Sequence, residues 1–195
     1  MKTISSGAEA IIYLNDNKNI EKQRIEKSYR IKEIDSALRV QRNKKEAKIL
    51  KKLSKIIPVP KILSLTDTSI EMEYIDGIKL REILDKKPEY AQKIAENLSL
   101  MHDSNIIHGD LTTSNMILFN EKIYFIDFGL SFESSKIEDK AVDIHLFKQA
   151  LNSKHYKVAD VAYKYFLKGY NPKNREEILK RLKTVEQRGR YKEKT

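Results

Sequence analysis

Apolar and polar positions alternate from Lys2 to Leu14, interrupted by Ser6-Gly7, which predicts a strand, a glycine turn and a second strand. The turn signal Asp16-Asn17-Lys18-Asn19 leads into a third strand near Ile20 to Lys27. Ala37, Leu38, Val40, Ala47, Leu50, Leu53 and Ile56 then follow at mostly helical spacing, which predicts one long helix over about 36–56, stopped by Pro58 and Pro60. Short strands are expected near 61–66 and 69–75, with a break at Asp76-Gly77. Beyond it the period becomes helical. Ala91, Ile94, Ala95, Leu98 and Met101 mark a buried face, with Pro88 placed in the first turn. Two apolar runs, Met116 to Phe119 and Ile123 to Ile126, flank Asn120-Glu121-Lys122 as a hairpin. Helices near 140–151, 154–168 and 173–187 complete the chain.

The expected fold is α+β and two-lobed: a small β-rich N-lobe with one long helix over about 1–75, and a helical C-lobe over about 76–187. Together with a basic tail, 188–195, they make one domain over the 195 residues. The absence of cysteine excludes a disulfide framework, a thiolate metal site and a cysteine nucleophile. No apolar run is long enough to span a bilayer, and the N-terminus lacks the core of a signal peptide, so a cytoplasmic location is expected.

Charge changes the picture more than composition does. The chain carries a net +10, concentrated in two places. Residues 18–55 hold 14 basic and 5 acidic side chains, and residues 180–195 hold 7 and 2. Lys44, Lys45, Lys48, Lys51, Lys52 and Lys55 read either as the wet face of a helix or as a surface for a polyanion such as RNA. The tail residues Arg188, Arg190, Lys192 and Lys194 have no packing reason to be basic, which favours a phosphate-bearing partner.

The candidate chemistry lies in two short segments. The run His108-Gly109-Asp110-Leu111-Thr112-Thr113-Ser114-Asn115 places a carboxylate and an amide five residues apart, and Asp127-Phe128-Gly129 ends a strand seventeen residues after Asp110. One group of the first pair can orient a nucleophile while the other, with Asp127, holds a hard cation such as Mg²⁺. Phosphoryl transfer needs that set, together with a cation for the phosphates. Lys22 fits this last role with Glu46 as its partner, although Lys18, Lys27 and Lys32 are rivals. His108 reads as a proton shuttle or, more simply, as a histidine that braces the loop.

Taken together, His108-Gly109-Asp110, Asn115, Asp127-Phe128-Gly129, Lys22 and Glu46 resemble the eukaryotic-type protein kinase superfamily. Met72-Glu73-Tyr74-Ile75 resembles the kinase hinge. The run His-Gly-Asp-Leu-Thr-Thr-Ser-Asn, the single-glycine turn Gly7-Ala8-Glu9-Ala10, the segment from Lys22 to Arg30, and Arg188-Gly189-Arg190 are similar to the small, RIO-like atypical kinase of the KEOPS complex. That resemblance implies an ATP- and Mg²⁺-dependent ATPase or Ser/Thr kinase. Its partners would be the threonylcarbamoyl-transferase subunit, a small KEOPS subunit and tRNA, whose position 37 is modified. It implies that Asp110 orients the nucleophile, that Asn115 and Asp127 hold metal, and that Lys22, aligned by Glu46, grips phosphate. Gly7 and Ala8 would cover the phosphates, and Met72, Glu73 and Ile75 would line the adenine edge. Departures from ordinary kinases are Gly109 in place of an arginine, Thr112 in place of a lysine, and only ten residues between Gly129 and Lys140 with no Ala-Pro-Glu. These favour slow, partner-dependent turnover. The alternatives are a small-molecule phosphotransferase of the aminoglycoside or choline kinase type and a non-catalytic pseudokinase scaffold.

Overall fold

The computed structural model describes the backbone of residues 1–192 and the side chains through Arg188. The chain divides into two compact units, Met1–Asp76 and the segment that begins at Gly77. The first unit is one antiparallel sheet with a helix. β1 (Lys2–Ser6), β2 (Ala10–Leu14), β3 (Asn19–Arg24), β4 (Ile62–Leu65) and β5 (Ser69–Glu73) lie in the order β1-β2-β3-β5-β4. Ile70 and Met72 of β5 pack with Ala47 of α1 (Lys32–Leu53), flanked by Ile20 and Ile62.

Helix α1 begins four residues earlier than apolar spacing predicts, and its buried side is not apolar throughout. Asp35, Asn43 and Glu46 are buried along with Ala47, Ile49, Leu50 and Leu53, whereas Ala37 is exposed. Each of these three side chains has a partner, although Asn43 Oδ1 is buried without one. Asp35 accepts from Arg39 Nε at 2.7 Å, and Asn43 Nδ2 donates to the carbonyls of Thr66 and Ser69 at 2.8 and 3.1 Å. The six lysines 44, 45, 48, 51, 52 and 55 are all exposed.

The second unit is mainly helical. After β6 (Ile78–Lys79) come the one-turn α2 (Leu80–Ile83), α3 (Tyr90–Asp103) and β7 (Ile106–Ile107). A 3-10 turn at Thr113–Asn115 leads into β8 (Met116–Phe119), β9 (Lys122–Phe125) and β10 (Phe132–Glu133). The helices α4 (Ile137–Lys154), α5 (Ala159–Gly169) and α6 (Arg175–Lys192) follow, with α3 packed on α5 and α4 on α6. Ala91, Ile94, Ala95, Leu98 and Met101 are wholly buried, as their spacing predicts. Pro88 stands before the helix rather than in its first turn, because the cap is Glu89. The β8–β9 hairpin turns on Asn120 and Glu121, both with positive φ, the backbone of a type I′ turn.

The last helix also departs from expectation. α6 runs on to Lys192, so Arg188 is helical and does not open a tail. Its guanidinium lies 2.9 Å from Glu138 of α4, which Arg181 also contacts. Glu138 pairs with cations one and three turns along α6, which explains part of the basic cluster by packing. The side chains of Arg190 and Lys192, and Lys194 as a whole, lie outside the described residues. Among the described residues no helix is long and apolar enough to cross a membrane.

Candidate active site

In the first unit, Lys22 and Arg24 leave the same face of β3, two residues apart as a strand dictates. Lys22 Nζ lies 2.6 Å from Glu46 Oε1, and Arg24 Nη2 lies 2.6 Å from Glu46 Oε2. The three groups are 8, 4 and 2% exposed, so this is a buried ionic cluster in which one carboxylate meets two cations. The rival lysines go elsewhere. Lys27 donates to the carbonyl of Ala8, Lys18 occupies the β2–β3 turn with φ 58°, and Lys32 is exposed at the start of α1. Arg24 carries no sequence signal of its own apart from its two-residue offset from Lys22.

The turn at residues 7–9 is held by a backbone bond from Gly7 N to Ala10 O at 3.0 Å and by Glu9, which pairs with Arg42 and Arg30. The Arg42 hydrogen bond holds the Glu9 carboxyl below its usual range. A Cβ on Gly7 would meet only Ala10 O at 3.6 Å, so the fold itself does not demand glycine there. Of the hinge-like residues, Met72 is buried in the sheet core, Ile75 is buried, and Glu73 N donates to Lys61 O at 2.9 Å.

In the second unit the loop 108–115 is fixed by bonds that run along its length. Asn115 Nδ2 donates to Asp110 Oδ2 at 2.8 Å and to the Asp110 carbonyl at 3.0 Å. The amide nitrogen thereby locks the carboxylate, and the amide oxygen remains as a potential cation ligand. Ile126 N donates to Asn115 O at 3.0 Å, which ties the backbone just before Asp127 to Asn115. Asp127 has φ 61°, a left-handed conformation costly for a non-glycine residue and commonest where function demands it.

Residues 108 and 109 are anchored by Asp143, which sequence reasoning missed. The N–H groups of His108 and Gly109 donate to Asp143 Oδ2 and Oδ1 at 2.7 and 2.9 Å. Burial alone would raise the Asp143 carboxyl, but the hydrogen bond from His102, aided by the His108 backbone bond, holds it below its usual range. His102 Nε2 is 3.3 Å from Asp143 and its Nδ1 is 2.6 Å from the Tyr170 hydroxyl. A carboxylate only accepts, so the proton sits on Nε2 and Tyr170 donates to Nδ1. A carboxylate amid the buried stripe Ala141, Ile144 and Phe147 was the available signal.

Gly109 has φ 81°, and a Cβ there would lie 2.6 Å from Leu130 O. No arginine fits at this position, which is the physical reason for that departure from ordinary kinases. His108 is buried against Phe128 and Phe125, its carbonyl accepts from Ser131 Oγ at 2.7 Å, and its Nδ1 accepts from Asp110 N at 3.3 Å. Burial lowers the His108 imidazole below its usual value despite the nearby carboxylates of Asp143, Asp110 and Asp127. An enclosed ring with its imidazole lowered suits a histidine that braces the loop.

No group of three His, Cys, Asp or Glu side chains among the described residues could cage a metal ion. The donor set still suits Mg²⁺, which commonly takes one or two protein oxygens and completes its shell with phosphate and water.

Comparison with known proteins completes the picture. The RIO domain family model matches residues 12–144. A protein of Pyrococcus abyssi named KEOPS complex subunit Bud32 is 41% identical over the whole chain and 98% of its own length. One of Archaeoglobus fulgidus, named a probable serine/threonine-protein kinase BUD32 homolog, is 36% identical over 96% of the chain and 95% of its length. One of Methanosarcina acetivorans, named a probable bifunctional tRNA threonylcarbamoyladenosine biosynthesis protein, is 35% identical over 96% of the chain, which spans 35% of that longer protein. A RIO domain match over most of the chain, with end-to-end similarity to the Pyrococcus protein, makes this chain a member of the RIO-domain family, in its Bud32 branch.

Proposed function

We propose that this protein is a Mg²⁺-dependent ATP hydrolase and atypical Ser/Thr phosphotransferase that works as a KEOPS subunit in threonylcarbamoyladenosine modification of tRNA. The observation that carries the reading is the Asn115–Asp110 bond at 2.8 Å next to the strained Asp127, in a chain 41% identical throughout to a KEOPS Bud32 subunit. Asp110 Oδ2 is occupied by Asn115, so Oδ1 receives the hydrogen of the attacking water or hydroxyl and orients its oxygen. Asn115 and Asp127 hold Mg²⁺, which when bound neutralises charge on the phosphate oxygens. Lys22, directed by Glu46, supplies the phosphate cation, Gly7 and Ala8 approach the phosphates, and Met72, Glu73 and Ile75 serve the adenine. The protein partners are the threonylcarbamoyl-transferase subunit and a small KEOPS subunit, with tRNA as the nucleic acid.

Phosphate release tests this reading, measured for the protein alone and then with the transferase subunit and tRNA added, in Mg²⁺ and in chelator. Release that needs Mg²⁺ and rises with the partners supports it. Release insensitive to chelator, or none under any condition, overturns it.

A further inference from the structure

Three side chains from separate stretches of the second unit meet at the far end of the loop 108–115. Thr113 opens the 3-10 turn and is buried, with Oγ1 2.8 Å from His155 Nε2. His155 ends α4 with its ring enclosed, and its Nδ1 is 2.6 Å from Asp85 Oδ1. Asp85 follows α2 with its side chain half exposed. The backbone of His155 is tied on both sides, its N–H to Leu151 O at 2.8 Å and its carbonyl to Val158 N at 2.9 Å.

The direction of the bonds follows from their chemistry. Asp85 only accepts, so Nδ1 carries the imidazole proton, and Nε2 of the neutral ring accepts the Thr113 hydroxyl. The order hydroxyl, imidazole, carboxylate is that of a hydrolytic triad. Here, however, the hydroxyl is buried and spent on the ring, so it anchors the chain instead of attacking a substrate.

What is anchored is the segment between Asp110 and Asn115. Thr113 is three residues past the carboxylate and two before the amide. The near end of the loop hangs on Asp143, in the middle of α4, and the far end hangs on His155, the cap of the same helix. With both ends held by one rigid element, the Asn115 amide meets the Asp110 carboxylate with little freedom to drift.

We propose that His155 and Asp85 are positioning residues for phosphoryl transfer, acting through the Thr113 hydroxyl to hold Asp110 and Asn115 in register. Neither touches the reacting atoms. The proposal rests on the ATPase reading above for its kinetic consequence, but its structural consequence can be read without turnover.

The test uses the full-length chain with Thr113→Val, which keeps the volume and removes the hydroxyl, Thr113→Ser, which keeps the hydroxyl, and Asp85→Leu. A leucine cannot accept from Nδ1, so nothing holds the imidazole proton there or fixes Nε2 as the acceptor that the Thr113 hydroxyl uses. Amide hydrogen exchange across residues 110–115 should quicken about tenfold or more in Thr113→Val and Asp85→Leu, and stay at the parental rate in Thr113→Ser. With Mg-ATP, kcat should fall about tenfold or more in the first two while KM changes less than about twofold, since small misplacements are felt in the transition state. The double variant should be no worse than Thr113→Val alone, because both substitutions break one chain. Parental exchange rates in folded Thr113→Val and Asp85→Leu would overturn the proposal, as would additive losses or failure of serine to rescue. An inactive parent would instead overturn the functional reading, and the exchange measurement would still decide the positioning role.

Discussion

Arg24 Nη2 sits 2.6 Å from Glu46 Oε2, on the carboxylate whose other oxygen meets Lys22. The arginine ties α1 to β3 by a contact separate from the lysine. Glu46 is therefore anchored to β3 at both of its oxygens. The consequences of substitution are unequal. Glu46→Gln removes the carboxylate that Lys22 and Arg24 share and should cost about 3–5 kcal/mol. Arg24→Met keeps the Lys22–Glu46 contact and removes the partner of Oε2, a loss of about 1–3 kcal/mol. Urea unfolding of both variants checks the order, and equal losses would contradict it.

Gly109→Ala should be far more harmful than an alanine at a loop position usually is. The left-handed backbone alone costs about 1–3 kcal/mol, and the new Cβ must also displace the Leu130 carbonyl from 2.6 Å. Relief of that contact pulls on the Asp143 anchors. Thermal unfolding should show the loss, and nucleotide turnover should fall with it. A variant as stable as the parent would mean that the loop accommodates a Cβ without strain.

Acid should weaken the fold through His108. Its folded-state value is lowered from an ordinary 6.5, so the unfolded chain takes up this proton first as pH falls. The stabilisation is complete above about pH 6.5 and declines below it, by at most about 1.4 kcal/mol per pH unit for one proton. Asp143, also lowered, adds stability that is present above the ordinary carboxylate value of 3.8 and is lost as pH falls from there through the folded-state value. Urea midpoints from pH 7.5 to 5 should fall more steeply for the parent than for His108→Asn. Parallel curves would show that His108 titrates alike in both states.

Removal of the residues after Gln187 separates two uses of the basic end. If the end serves tRNA, the truncated protein binds tRNA more weakly with a flatter salt dependence, and its ATP hydrolysis is unchanged. Loss of the Arg188–Glu138 contact, which is exposed, should cost at most about 1 kcal/mol. Filter binding across a salt series makes the measurement, and unchanged affinity would leave Arg188 with only its contact to Glu138 of α4.

The elements that could be read from the pattern are those where one side is uniformly apolar. α3 shows this, with five spaced residues all buried. α1 does not, because Asp35, Asn43 and Glu46 occupy its buried stripe and are satisfied by Arg39, by the Thr66 and Ser69 carbonyls, and by Lys22 with Arg24. A hydrophobicity period cannot register a stripe that is polar and paired. The same limit hid Asp143 and His155, whose partners are backbone N–H groups and a threonine far away in sequence. Asp110 and Asn115 were legible because five residues of loop suffice to bring them together. Short strands such as β7 and β10 exist only through each other, Phe132 against Ile107, and two residues carry no period.

The most direct test is turnover of Mg-ATP by Asp110→Asn, measured beside nucleotide binding by calorimetry, with the transferase subunit and tRNA present. The amide keeps the shape and the Asn115 contact but cannot take the nucleophile's proton, so binding should match the parent while hydrolysis falls about a hundredfold or more. Hydrolysis at the parental rate would contradict the account, because Asp110 would then be a structural residue of the loop.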